Sequence, residues 1–241
     1  MPRFFYPSDL TIGAVIELPE TVAHHCQVLR MVQGDQIVLF NGLGGCYVAS
    51  LIAIDRKRAS AEIKTFDPAE AELPYSINLA QAIPESGKMD WIVEKAVELG
   101  AAGIQPLLAQ RCVTRLSGER AEKRRTHWEG IIASASEQCG RNRLAHLGNM
   151  IDFKQWVTQQ DLHRRILLSP HADLSLADWA RHHPSQAITL MIGPEGGFTE
   201  QECQLAISQG AIPLSMGRRI LRTETAGLSA ISTINAHWSP L

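Results

Sequence analysis

Two short strings carry most of the chemistry open to this sequence. The first is Ile192-Gly193-Pro194-Glu195-Gly196-Gly197-Phe198-Thr199, which leaves an apolar run and enters the capping-box pattern Thr199-Glu200-Gln201-Glu202. Its glycines let a ligand come close to the main chain. In an open α/β sheet such a loop lies beyond the carboxyl ends of the strands, where ligands sit. The spacing is not G-x-G-x-x-G, and no Gly-Lys-Ser/Thr follows to make a P-loop. The second string is Leu214-Ser215-Met216-Gly217-Arg218-Arg219-Ile220-Leu221-Arg222-Thr223-Glu224-Thr225-Ala226. Arg218, Arg219 and Arg222 suit phosphate or carboxylate contacts. Ile220 and Leu221 between them offer an apolar wall for a ring or a thioether. The plainer readings are a Gly-rich connector and a solvated basic turn.

Both strings need strands before them and helices after them, and the sequence supplies these. From residue 74, apolar runs at Ile77–Ile83, Ile104–Leu108, Arg165–Leu168, Ile188–Ile192 and Ile212–Met216 read as strands. They alternate with helical patterns: one capped by Ser86 and ending at Gly100, one over Glu119–Glu137 with Trp128, Ile131, Ile132 and Ala135 inward, one closed by Gly210, and a last one capped by Thr223. Such alternation means a mainly parallel sheet covered by helices. Before residue 70 the signals are short strands, Gln36–Phe40, Cys46–Ile52 and Ala59–Phe66, with a hairpin turn at Asn41-Gly42. That pattern fits a small β-barrel. The stretch Phe66–Pro74, with two prolines and three acids, reads as the boundary.

Composition narrows the class. The 241 residues carry 23 Lys and Arg against 25 Asp and Glu, a net charge of −2, with 45% hydrophobic residues, as in an ordinary globular chain. No apolar run reaches the length of a membrane span, and no signal-peptide pattern opens the chain. Five cysteines without a CxxC read as reduced thiols of a cytoplasmic protein rather than a disulfide or zinc framework. Adjacent His24-His25 and His182-His183 do not share a face, so no metal site is expected from them. The near-neutral total hides a local excess: segment 111–125 has six bases, Arg111, Arg115, Arg120, Lys123, Arg124 and Arg125, against Glu119 and Glu122. A solvated helix face is the bland explanation; an RNA surface is the sharper one.

Taken together, GPEGGF and LxxGRRILRTETA resemble the C-terminal signature of the RsmE family of 16S rRNA methyltransferases, members of the SPOUT class. Lys88 with Glu94–Gly100 resembles the family's K…EKxxELG helix. Arg111-Cys112 and Ser136–Arg141 resemble its R-C and EQCGR segments, and His24–Arg30 followed by Gly34-Asp35 its H…VLR…G element. The likeness covers nearly the whole chain in order.

The resemblance implies a PUA-like β-barrel RNA-binding domain over residues 1–70 and a SPOUT methyltransferase domain over residues 74–241, α/β with a C-terminal deep trefoil knot. It implies a homodimer that binds S-adenosylmethionine and methylates N3 of a uridine in the decoding region of 16S rRNA within the small ribosomal subunit. Cofactor contacts are then expected from Leu168, Ser169, Pro170, Ile192, Gly193, Pro194, Gly196, Gly197, Leu214, Ser215, Met216, Gly217, Ile220, Leu221, Thr225 and Ala226. Arg222 is the expected cation for charge building on the uracil oxygens, with Glu195 or Glu224 as base or as its positioning group. RNA contacts are expected from Arg3, Arg30, Arg111, Arg115, Arg124 and Arg141, with Arg56-Lys57-Arg58 as a further basic cluster. The alternatives are a non-catalytic RNA-binding or ribosome-assembly factor, or a SPOUT enzyme for another RNA position.

Overall fold

A computed structural model describes residues 1–55, 58–85, 87–114 and 117–239. Ser86, the Arg56-Lys57 part of the basic cluster and Arg115 lie outside the described residues. The chain divides into two units, Met1–Glu72 with Ala133–Leu144, and Leu73–Ile132 with Ala145–Leu241.

The first unit is built on a five-stranded sheet. Its strands are β1 (Arg3–Phe5), β2 (Val15–Glu17), β3 (Gln36–Phe40), β4 (Cys46–Ile54) and β5 (Ala59–Asp67), in the order β1-β3-β4-β5-β2. β3, β4 and β5 pair antiparallel, and β1 adds in parallel to β3. Alternation along β3 sends Ile37 and Leu39 into one cluster with Phe4, Leu51 and Ile63, and Val38 and Phe40 into another with Cys46. Helix α1 (Glu20–Val28), which no turn or cap signal announces, closes the first cluster with Val22, Ala23 and Cys26.

The acidic stretch before residue 73 works as a clasp rather than a loose linker. Glu72 takes a two-pronged hydrogen bond from Arg141, and Glu70 accepts from the Gly45 amide and lies 3.4 Å from Arg143. These contacts tie Ala133–Leu144 into the unit.

The second unit holds β6 (Ile77–Ala82), α2 (Lys88–Glu98), β7 (Gly103–Leu108), β8 (His146–Leu147), β9 (Ile151–Asp152), α4 (Phe153–Val157), β10 (Arg164–Leu168), α5 (Leu176–His182), β11 (Ile188–Ile192), α6 (Glu200–Ser208), β12 (Ile212–Leu214) and α7 (Thr223–Trp238). Helix α3 (Glu119–Cys139) starts in this unit, and its residues from Ala133 on belong to the first. The sheet order is β12-β10-β11-β6-β7-β8, parallel throughout, with β9 beside β7. Its central strands are apolar on both faces, as a sheet covered on both sides requires; all of β11 is buried.

Two local expectations change. α2 begins after Gly87, which caps it in a left-handed conformation without a side-chain bond. Thr223 is not the cap of α7 but its first residue, the cap position being Arg222. The physical reason is that the Thr223 hydroxyl is used elsewhere, donating to the Gly193 carbonyl at 2.6 Å.

Candidate functional site

Register puts the key loops at one edge. Pro213, Leu167, Met191, Ala80 and Gln105 form a row across five parallel strands, each of which ends within three residues of it. The loops after β10, β11, β12 and β6 therefore emerge together. Connections from β6 run toward β7, whereas those from β11 run toward β12 on the other side. The order reverses between β11 and β6, which is where open parallel sheets take ligands.

Hydrogen bonds join these loops. The Ser169 amide donates to the Leu214 carbonyl at 2.9 Å, and the Ser215 amide to the Leu174 carbonyl at 2.9 Å. In the second loop the Gly197 amide closes a turn on Pro194 at 2.8 Å, with Gly197 at φ 68°. A Cβ on Gly193 would come within 2.8 Å of the Phe198 amide nitrogen, so only glycine fits there. A relay then crosses three segments: Gln81 Nε2 donates to Thr223 Oγ1 at 2.9 Å, and Thr223 donates to Gly193 O. Arg111 reaches into the same loop, donating to the Gly196 carbonyl at 2.6 Å.

These features suit a flat, polar-edged ligand. Among the described residues, no backbone group from Met216 to Leu221 has a hydrogen-bond partner. Gly217 stands at φ 90° and Ile220 is 82% exposed, an apolar side chain presented beside free peptide groups. Gln81, 0% exposed at the end of β6, keeps an Oε1 with no partner. Unpaired peptide edges next to apolar side chains can read an adenine and hold a thioether, so the residues present fit S-adenosylmethionine. Leu168, Pro170, Ile192, Pro194 and Leu221 flank the three loops, and Thr225 and Ala226 form the first turn of α7, where both amides bond the Arg222 carbonyl at 2.9 Å.

A charged cluster lies at the order reversal. Lys88 Nζ donates to Glu195 Oε1 at 2.6 Å and stands 3.9 Å from Glu224 Oε2. The Glu85 amide also donates to Glu195, at 3.1 Å. The hydrogen bond to Glu195 lifts Lys88 above the usual lysine range against its own burial. Burial pushes the Glu195 carboxyl up, but the Lys88 ammonium and backbone N–H donors outweigh it and hold it below the usual carboxylate range. Arg222 is exposed and makes no ion pair among the described residues.

Of the expected RNA-contacting arginines, Arg30 is exposed, held at φ 56°. Arg3 bonds the Arg141 carbonyl and Asn142 within the first unit. Arg124 stands 3.8 Å from Asp90, and Arg111 serves the glycine loop. Arg141 corrects the expectation: it is 3% exposed and locked to Glu72, so its charge is spent inside the unit instead of facing a phosphate. Sequence reasoning missed Lys88 as a site residue, along with Gln81. The available signals were a lysine at the start of a helix, where the dipole disfavours a cation, and an amide inside the apolar run Ile77–Ile83.

Comparison with known proteins decides the family. An RNA methyltransferase domain model matches residues 71–235, and an RNA methyltransferase PUA domain model matches residues 18–64. The whole chain is 31% identical to ribosomal RNA small subunit methyltransferase E of Buchnera aphidicola, across 98% of that protein. The chain belongs to the RsmE family. The Bacillus subtilis RsmE is also 31% identical, over 98% of this chain and 96% of its own. A crystal structure of the Neisseria gonorrhoeae RsmE bound to S-adenosylmethionine superposes with a TM-score of 0.91 at 38% identity, over 99% of this chain and 98% of that one. A Legionella pneumophila protein in complex with the same cofactor gives 0.92 at 36%, over 99% and 98%. The RsmE match accounts for the α/β architecture and for a PUA domain in the first unit.

Proposed function

We infer that this chain is an S-adenosylmethionine-dependent rRNA methyltransferase of the small ribosomal subunit, and we propose that its product is N3-methyluridine in the decoding region of 16S rRNA. The observation that carries the reading is the junction of the glycine loop and the Leu214–Ala226 loop at the reversal of strand order, in a chain that aligns end to end with a cofactor-bound RsmE.

When bound, the cofactor supplies an electrophilic methyl on a sulfonium. The chain's residues do the rest. The unpaired peptide groups of Met216–Leu221 would hold the cofactor, beside the glycine loop and Leu168–Pro170. Arg222, exposed and without an ion pair among the described residues, offers its guanidinium to a uracil oxygen as negative charge builds there. Glu195 is committed to Lys88 and the Glu85 amide, which suits a positioning group better than a base.

We further propose the deep trefoil knot of the SPOUT class. It is supported by β12 lying beyond β10 while α7 returns to pack on β11 and β6. The PUA-type unit, Met1–Glu72 with the later Ala133–Leu144, is proposed to hold RNA through exposed cations such as Arg30. On α3, Lys123 and Arg125 pair with Glu119 and Glu129 at 2.7 and 2.9 Å, but exposed pairs of this kind exchange readily for phosphate. A homodimer is proposed from the family likeness; the small residues Gly227 and Ala230 are buried within the chain, where Gly227 lets α7 pack closely on Leu79 and Ile192.

Calorimetric titration with S-adenosylmethionine separates the enzyme from a non-catalytic factor on the same fold. Saturable binding is expected; no binding favours the factor. Arg222→Ala is expected to abolish methyl transfer to small subunits and leave that binding measurable, and unchanged turnover removes Arg222 from the mechanism.

A further inference from the structure

We propose that Lys88 and Glu224 together read the imide edge of the target uracil, Lys88 donating to a ring carbonyl and Glu224 accepting the N3 proton. The proposal rests on the methyltransferase reading above and names the groups that select its base.

The unused hydrogen-bonding capacity of the pair carries it. An ammonium has three N–H donors. Among the described residues Lys88 donates one hydrogen bond, to Glu195, while Glu224 Oε2 at 3.9 Å is in ion-pair range but beyond a hydrogen bond. The Lys88 side chain is 28% exposed, so its ammonium is not sealed in. Glu224 Oε2 is buried with no hydrogen-bond partner, a state that native structures seldom leave unexplained. The Glu224 side chain is 20% exposed, and its other carboxylate oxygen, Oε1, is the one open to a substrate.

A donor next to an acceptor matches uracil, whose carbonyl oxygen accepts beside an N3–H that donates. Cytosine presents the reverse, an amine donor beside an N3 acceptor, and meets like against like. Arg222, two residues before Glu224, is then left for the second carbonyl. In the reaction the N3 proton passes to the Glu224 carboxylate. The electron pair left on N3 forms the bond to the methyl carbon, and the pair of the breaking S–C bond stays on sulfur as a neutral thioether. Negative charge on the carbonyl oxygen is met by Lys88, which Glu195 keeps ionised and in place.

The test uses the full-length protein, S-adenosylmethionine and small ribosomal subunits. Lys88→Met is expected to lower kcat by ~100-fold or more with little change in KM, as removal of a single charge-stabilising donor does. Its cofactor affinity by calorimetry should stay close to wild type, and Lys88→Arg should recover part of the rate. Glu224→Gln is expected to be inactive near neutrality and to regain turnover as pH rises toward the ionisation of uracil itself, while Lys88→Met gains nothing. In competition binding, wild type should prefer a uridine-containing RNA over its cytidine-substituted form, and that preference should weaken in Lys88→Met. Wild-type rates in both variants overturn the proposal. Loss of cofactor binding in Lys88→Met also overturns it, since that assigns Lys88 to holding the loop. A wild-type protein that binds no cofactor and transfers no methyl defeats the underlying methyltransferase reading instead.

Discussion

A few polar atoms decide what this edge of the sheet can do. Thr223 is the clearest case. A threonine at a helix start reads as a cap, yet here it accepts from Gln81 and donates to Gly193, joining β6, the glycine loop and α7. Thr223→Val keeps the shape and removes both bonds; Gln81 Nε2 keeps its bond to the Ala82 carbonyl, while the Gly193 carbonyl loses its partner. Such losses cost about 1–3 kcal/mol for each buried group left unpaired. Chemical denaturation of the variant should show a fall of that order, and S-adenosylmethionine should bind more weakly; unchanged values in both measurements would deny the relay its role. At this scale the sequence showed residue types but not allegiances. Arg141 and Arg222 look alike in a string, and only folding shows one clamped on Glu72 and the other left exposed.

At the scale of elements, the second unit was legible because its strands are apolar runs and its helices carry end signals. Ile188–Ile192 comes out as read, and Gly210 follows the end of α6 at φ 85°. The capping box at Thr199 forms with both of its bonds. Helix α1 and the short α4 were not legible, being too short for a helical period to stand out. Packing between elements was invisible too. α2 meets α3 through Asp90, which accepts from His127 and Trp128 at 2.9 Å each. Burial raises the Asp90 carboxyl, but those donors and Arg124 outweigh it and hold it below the usual range. The unfolded chain therefore takes up that proton first, so the stabilisation is complete above the ordinary aspartate range and is lost as pH falls through the lower folded value. Thermal melts from pH 7 downward should show Tm falling with acid, with a shallower fall in Asp90→Asn. Equal slopes would show that the contact adds nothing.

For the whole molecule, a net charge of −2 is a poor guide to partners. It averages acids spent internally, Glu70 and Glu72 among them, against exposed arginines such as Arg120 and Arg222. The division of the chain was partly legible: the Pro- and acid-rich stretch marks the change at residue 73, but nothing in the amphipathic pattern of α3 says that residues from Ala133 on join the first unit. The contacts that hold this segment join residues far apart in sequence: Arg141 and Arg143 with Glu72 and Glu70, the Phe5 amide with Glu137, and Arg3 with Asn142. Neither the proposed knot nor the reaction follows from periodicity; both readings enter through family likeness and the loops it identifies. The most direct test is to incubate the protein with S-adenosylmethionine and small ribosomal subunits lacking the modification, then map the methylated nucleotide by mass spectrometry. One methyl at N3 of a single decoding-region uridine is the expected result. No transfer, or a methyl on a ribose 2′-oxygen, would contradict it.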